Sequence, residues 1–178
     1  MGDENNEQFS FNINQQERKK ILIAPTWGTD FFHLNIHLTI KKNLNPSEYD
    51  IFIRPHYMSL LNNKNLISDL IKNNFQISKG KINFNQYDLL ITDWSGLYIE
   101  FAKINRIKSI LIETKDKILN DKFHEYKDDS IDTFARNKLG KILLTTQLDT
   151  IESQVKDIIL NRNDYAKKID KFFDSYFY

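Results

Sequence analysis

The 178-residue chain contains no cysteine. That excludes disulfides, thiol nucleophiles and cysteine-held metals. Charge of one sign is also lacking. The 25 Lys and Arg residues face 24 Asp and Glu, for a formal net charge of +1, so there is no strong field to draw in nucleic acid or a membrane surface. No apolar run approaches the roughly 20 residues of a membrane span, and the amino terminus is too polar and acidic for a secretory signal. These features fit a cytoplasmic protein with at most a peripheral contact at the inner face of the membrane. Neither Gly-x-x-x-x-Gly-Lys-Ser/Thr nor Gly-x-Gly-x-x-Gly occurs, which argues against a P-loop NTPase or a typical dinucleotide oxidoreductase. His33 and His37 have a zinc-compatible i, i+4 spacing. No Glu lies between them in His-Glu-x-x-His order and no third ligand is evident, so neither metal nor cofactor is expected.

What is present is organised around Tyr87 to Ala102. Leu89, Leu90 and Ile91 form a short apolar run suited to a buried strand. Thr92, Asp93, Ser95 and Gly96 break it with turn and cap residues. From Leu97 the spacing becomes helical, through Phe101 and Ile104. In an open α/β sheet such a strand–turn–helix lies at the carboxyl ends of strands, where ligands bind. The helix start would offer N–H groups and a positive dipole end to a phosphate, with Gly96 permitting close approach. Glu100, one turn on, is placed to accept from a ribose. The alternative is an ordinary turn with Ser95 as a plain N-cap.

Met1 to Arg18 is polar and without apolar periodicity, and reads as a disordered arm or linker. The remainder, 19–178, reads as one domain of alternating strands and helices. Strands are expected at Lys20–Ala24, Tyr49–Arg54, Phe75–Ile77, Lys108–Glu113 and Ile142–Leu144, in addition to the central one. Helices are expected over Phe31–Leu44, capped by Asp30, and over Tyr57–Asn73, with Leu60, Leu61, Ile67, Leu70 and Ile71 facing the sheet. Others are expected at Ile131–Leu139, ended by Gly140, Ile151–Leu160 and Tyr165–Phe173. A charged, irregular connection spans Thr114–Ser130. This alternation predicts a doubly wound parallel sheet, Rossmann-like in form. Phe172, Phe173, Tyr176, Phe177 and Tyr178 crowd the end of the chain, either to dock on another domain or to pack on their own sheet.

Three loops that follow expected strands would converge on one edge of that sheet. The first holds Thr26, Trp27 and Gly28, the second Arg54, Pro55 and His56, and the third Asp93, Ser95 and Gly96. Arg54 can grip a phosphate with two parallel bonds, or pair with a carboxylate. His56 can donate to a phosphate oxygen and assist a leaving group, or be structural. Trp27 can stack on a base or simply cover the sheet edge. Asp93 can contact substrate or hold the turn.

Taken in order, Ala-Pro-Thr-Trp at 24–27, Arg-Pro-His at 54–56 and Thr-Asp-Trp-Ser-Gly-x-x-x-Glu at 92–100 resemble the C-terminal half of the CDP-glycerol glycerophosphotransferase family, which makes teichoic-acid and capsule-type polymers. The likeness runs from about Lys20 to the C-terminus. It implies one half of a GT-B transferase, the Rossmann-like domain that holds a nucleotide-activated donor, CDP-glycerol or a related compound. By the same resemblance, His56 is the catalytic histidine of an Arg-x-His motif near the donor phosphates. Ser95 and Gly96 form the phosphate-binding turn, and Glu100 is the acidic position near the ribose. Tyr57 stands where many members carry proline. Trp94-Ser95-Gly96 replaces the Tyr-Ser-Ser of wall-polymer enzymes and is closer to capsule-type relatives. An N-terminal acceptor domain with its catalytic base has no counterpart in these residues, so the donor half is expected to need such a domain or a partner chain. A nucleotide-sugar epimerase-like GT-B fragment and a non-catalytic nucleotide- or protein-binding α/β module are the rival readings.

Overall fold

Apolar runs with no polar alternation suit strands that are covered on both faces. Three such runs, Ile21–Ile23, Leu89–Ile91 and Ile110–Ile112, are fully buried at the centre of the sheet. The computed structural model describes residues 17–114 and 131–177. Its strands are β1 (Lys19–Ile23), β2 (Tyr49–Ile53), β3 (Gln76–Ile77), β4 (Leu89–Thr92), β5 (Ser109–Glu113) and β6 (Gly140–Leu144). They pair in parallel in the order β3-β2-β1-β4-β5-β6. This is the open, Rossmann-like α/β arrangement expected from the sequence. The chain leaves β1 toward β2 and β3, then returns to build β4, β5 and β6 on the other side. The order therefore reverses between β1 and β4, and open α/β sheets bind ligands outside the carboxyl ends of strands at such a point.

The helices are α1 (Ile36–Lys42), α2 (Tyr57–Asn62), α3 (Leu66–Lys72), α4 (Leu97–Asn105), α5 (Ile131–Leu139), α6 (Ile151–Leu160) and α7 (Arg162–Phe177). Helices α4, α5 and α7 pack on one another, while α1 meets the 3-10 turn at 145–150 that leads into α6. The buried Asn105 amide donates to the carbonyls of Phe84 and Tyr87, fixing the approach to β4. Among the described residues, no helix is long and apolar enough to cross a membrane.

Several local expectations are corrected. The first helix starts at Ile36 rather than Phe31, because Asn35 adopts a left-handed conformation, φ 53°, that Asn tolerates. Asp30 does not cap it; its carbonyl accepts from the Leu34 N–H in a preceding turn. The helix expected over 57–73 is two helices. The Asn63 side chain accepts from the Asn65 N–H and breaks the run. Leu66 and Leu70 face the core, whereas Leu61 and Ile71 are exposed. In α4 the buried face is Tyr98, Phe101, Ala102 and Asn105, and Ile104 points outward. Gly140 is not a helix cap but the first residue of β6. A Cβ there would lie 2.3 Å from Leu111 Cδ1 and 2.9 Å from the Arg136 carbonyl oxygen, so only glycine lets α5 run into β6 without a loop.

At the C-terminal end, Phe172 and Phe173 are buried, and Phe172 stacks on Phe134 at 5.8 Å. Tyr176 closes the group at 4.9 Å from Phe134. The described part of the aromatic tail thus packs on its own domain. The arm up to residue 16 and the connection at 115–130 lie outside the described residues.

Candidate functional site

The loops after β1, β2 and β4 all emerge at the carboxyl edge, and hydrogen bonds beyond the ladders tie them together. The Ala24 N–H donates to the Ile91 carbonyl, and the Thr92 hydroxyl donates back to the Ala24 carbonyl at 2.6 Å. The Arg54 N–H donates to the Ile23 carbonyl at 2.8 Å, extending β2 along β1. The loops are therefore held as a unit across the point where strand order reverses.

Asp93 is the centre of this arrangement. It is 0 % exposed. Its Oδ1 accepts from the Thr26 N–H at 2.7 Å and its Oδ2 from the Thr29 hydroxyl at 2.8 Å. Burial raises its pKa above the usual carboxylate value, opposed by those hydrogen bonds and one from the Trp94 N–H. Both oxygens face the protein's own loops, so the carboxylate holds the turn.

From the other side the turn is held by Arg136, which the sequence reading missed. This α5 side chain is 2 % exposed. One guanidinium nitrogen donates to the Asp93 carbonyl and another to Glu113 Oε2, each at 2.8 Å. Its plane covers the Trp94 ring at 3.8 Å. Trp94 Nε1 in turn donates to the Thr114 carbonyl at 3.1 Å. A buried guanidinium is tolerable because it is paired, hydrogen-bonded and stacked. Nothing local to the sequence separates Arg136 from the exposed Lys138 two residues later, since the distinction arises from the meeting of α5 with the ends of β4 and β5.

The turn presents Ser95 and Gly96 at the start of α4, whose first-turn N–H groups lack intrahelical acceptors. Gly96 is exposed at the N-cap position with φ −62° and ψ −7°. The Ser95 hydroxyl accepts a long, 3.4 Å bond from the Leu97 N–H. Glu100 is exposed in the first turn of α4.

In the loop after β2, His56 is exposed at the N-cap of α2, and its Nδ1 accepts from the Met58 N–H at 3.1 Å. The neutral ring then carries its proton on Nε2, where it can donate outward. Trp27 is half-buried, its ring centroid 6.3 Å from that of His56. Arg54 is half-buried, and its guanidinium makes no ion pair among the described residues.

His33 and His37 are not brought together in helical register, because the left-handed Asn35 lies between them. His33 is exposed, while His37 is buried between Phe32 and Phe75, at 5.1 and 5.7 Å. Desolvation lowers the His37 pKa to about 4. Among the described residues, no three His, Cys, Asp or Glu side chains are grouped to hold a metal.

Comparison with known proteins adds two findings. A family model described as CDP-Glycerol:Poly(glycerophosphate) glycerophosphotransferase matches residues 3–178. The chain is also 26% identical, over 188 residues, to a teichoic acid poly(glycerol phosphate) polymerase from Bacillus subtilis (strain 168). That match covers 92% of this chain but 22% of the relative, so the chain spans about a fifth of the relative's length.

Proposed function

The chain belongs to the CDP-glycerol:poly(glycerophosphate) glycerophosphotransferase family, and from that premise we propose that it binds the nucleotide-activated donor of a transferase that builds teichoic-acid-type or capsule-type polymer. The observation that carries this reading is the strand-order reversal between β1 and β4, which sets the loops after β1, β2 and β4, and with them the start of α4, Arg54 and His56, at one carboxyl edge of the sheet.

In this reading the donor diphosphate lies against the N–H groups at Ser95 and Gly96, where the helix start favours negative charge. Arg54 grips a phosphate oxygen through its fork of N–H donors. The His56 Nε2–H donates to the phosphate on the leaving nucleotide as negative charge develops there. Glu100 accepts from the ribose, and Trp27 walls the site or stacks on the base. Asp93 and Arg136 touch no substrate but fix the turn that does. Glycerol phosphate would pass from the nucleotide to a polymer hydroxyl. The hydroxyl's proton needs a base, and no described side chain is placed for that role across the crevice from His56. The full reaction therefore takes a second, acceptor-side wall on another domain or chain.

Calorimetric titration of the 178-residue chain with CDP-glycerol, CMP and UDP-linked sugars tests the reading, alongside incubation with labelled CDP-glycerol and lipid-linked acceptors. Binding of CDP-glycerol without turnover is expected. Positioning of both substrates is worth roughly 7–11 kcal/mol of barrier, and a general base adds about 100- to 10,000-fold. Sustained multiple turnover by this chain alone would refute the division of labour, and failure to bind any CDP compound would refute the donor assignment.

A further inference from the structure

On the far side of the molecule, at the amino end of β5, lies a concave surface of about 460 Å³. Lys108, Lys138, Lys168 and Lys171 line it, with the Asn137 amide and the Ser175 hydroxyl between them. Its floor is the Phe134–Phe172–Tyr176 aromatic group. Four ammoniums from three segments thus share one hollow. Among the described residues none of them makes an ion pair, and the α7 carboxylate of Asp170 is turned to Arg106. Lys108 is the most confined. Among the described residues its ammonium donates to the Gly140 carbonyl, at 3.4 Å, and lies over the Tyr165 ring at 5.4 Å. Burial, together with the ammoniums of Lys168, Lys141 and Lys138, lowers its pKa.

A protein with a net charge of +1 has carboxylates enough to neutralise such a cluster, yet among the described residues none is paired with these four lysines. Repulsion among like charges raises the energy of the fold and is relieved when an anion enters. Several charges spread over a hollow call for a ligand with several anionic groups along a chain, and the Asn137 amide supplies a neutral donor among them, while the Ser175 hydroxyl donates to the Lys171 carbonyl. A membrane-inserting face would set exposed apolar side chains beside the lysines. Here Tyr176, 55% exposed, is the one large exposed apolar side chain lining the hollow.

We infer that this hollow is a second binding site, separate from the donor crevice, that holds a phosphodiester polyanion of the poly(glycerol phosphate) type. The ligand class rests on the proposed function, while the site itself rests on the clustered lysines. A chain held there would be retained by the protein while its end is presented elsewhere.

The test is calorimetry on the 178-residue chain with a synthetic glycerol phosphate hexamer, a glutamate oligomer of matched charge, and phosphatidylglycerol vesicles. The exposed positions are changed together, Lys138→Gln, Lys168→Gln and Lys171→Gln, and circular dichroism checks the fold. The hexamer should bind the wild-type chain, weaken as salt rises, and bind the triple variant about tenfold or more weakly, as the loss of three exposed ion contacts predicts. CDP-glycerol affinity should stay within about twofold, because the donor crevice lies at the opposite edge of the sheet. Absence of hexamer binding, or equal binding by the variant, would overturn the inference. Equal affinity for the glutamate oligomer would overturn it in favour of an acidic peptide, and lysine-dependent vesicle binding without hexamer binding would do so in favour of a membrane. Hexamer binding by a chain that ignores CDP-glycerol would uphold this site and refute the donor reading alone.

Discussion

Gly96 is the position where folding and binding can be separated. Its backbone lies in the right-handed helical region open to every residue, and a Cβ placed there would meet no atom within 4 Å. The fold therefore does not require glycine. Glycine-to-alanine changes at such positions stabilise by roughly 0.4–1 kcal/mol, because the unfolded chain has less freedom to lose. Gly96→Ala should accordingly hold or raise the unfolding free energy, and Gly96→Val should leave the fold intact. Binding is expected to respond differently. The branched valine side chain would fill the space in which a diphosphate approaches the first N–H groups of α4. A hydrogen bond to a charged group is worth about 1.5–3 kcal/mol, so losing one should weaken CDP-glycerol by roughly 10- to 150-fold, at 1.4 kcal/mol per factor of ten. Calorimetry and urea unfolding on the same preparations read the two effects apart. Wild-type affinity in a folded Gly96→Val chain would refute the phosphate assignment. Failure of Gly96→Ala to fold would refute the claim that the glycine is there for the ligand.

Three further outcomes follow from the packing. Arg136→Met should cost about 1–3 kcal/mol in urea unfolding, because the buried Asp93 carbonyl loses its donor while Glu113 is exposed enough to be hydrated, and Arg136→Lys should recover part of it; a loss under about 0.5 kcal/mol would show that the stacked guanidinium is dispensable. His37 is held neutral, with a pKa of about 4 against an ordinary 6.5, so the unfolded chain takes up the proton first and stability falls as pH drops from 6.5 toward 4, by up to roughly 3 kcal/mol. His37→Phe should flatten that part of the pH profile, and parallel profiles for variant and wild type would refute the assignment. Truncation after Asp170 removes the buried Phe172 and Phe173 and should cost roughly 3–6 kcal/mol; unchanged stability would mean that the aromatic tail docks elsewhere.

The sheet is readable because its central strands are apolar runs bounded by proline or charged residues, Pro25 after β1, Asp88 and Asp93 around β4 and Lys108 and Glu113 around the apolar run of β5, and the β4–α4 turn is readable because the hydrophobic spacing changes there. What escaped the sequence depends on residues distant from one another. The two-helix break at Asn63 and the late start at Ile36 turn on single Asn residues whose local hydrogen bonds or left-handed geometry override helical periodicity. Gly140 looked like a helix stop, yet its necessity comes from Leu111 on the neighbouring strand. At the candidate site the strand-end positions of Trp27, His56 and Ser95 followed from topology. Arg136 did not, since a guanidinium that stacks on Trp94 and bonds the Asp93 carbonyl has the same local sequence as a solvated one.

The Asp93 carboxylate bonds residues 67 and 64 positions earlier in the chain. A contact of that sequence separation carries the entropic cost of closing a long loop, so its strength rests on the folded sheet that brings the two loops together. The strand–turn–helix of β4 and α4 is consequently not an autonomous motif, and a peptide spanning the two would lack the clamp that shapes its turn. Opening the turn and unseating the loop after β1 become one cooperative event. A ligand bound there would lend its free energy to both halves of the sheet at once, about 2.7 kcal/mol at a hundredfold excess over Kd, so that the crevice acts as the seam along which occupancy is converted into global cohesion.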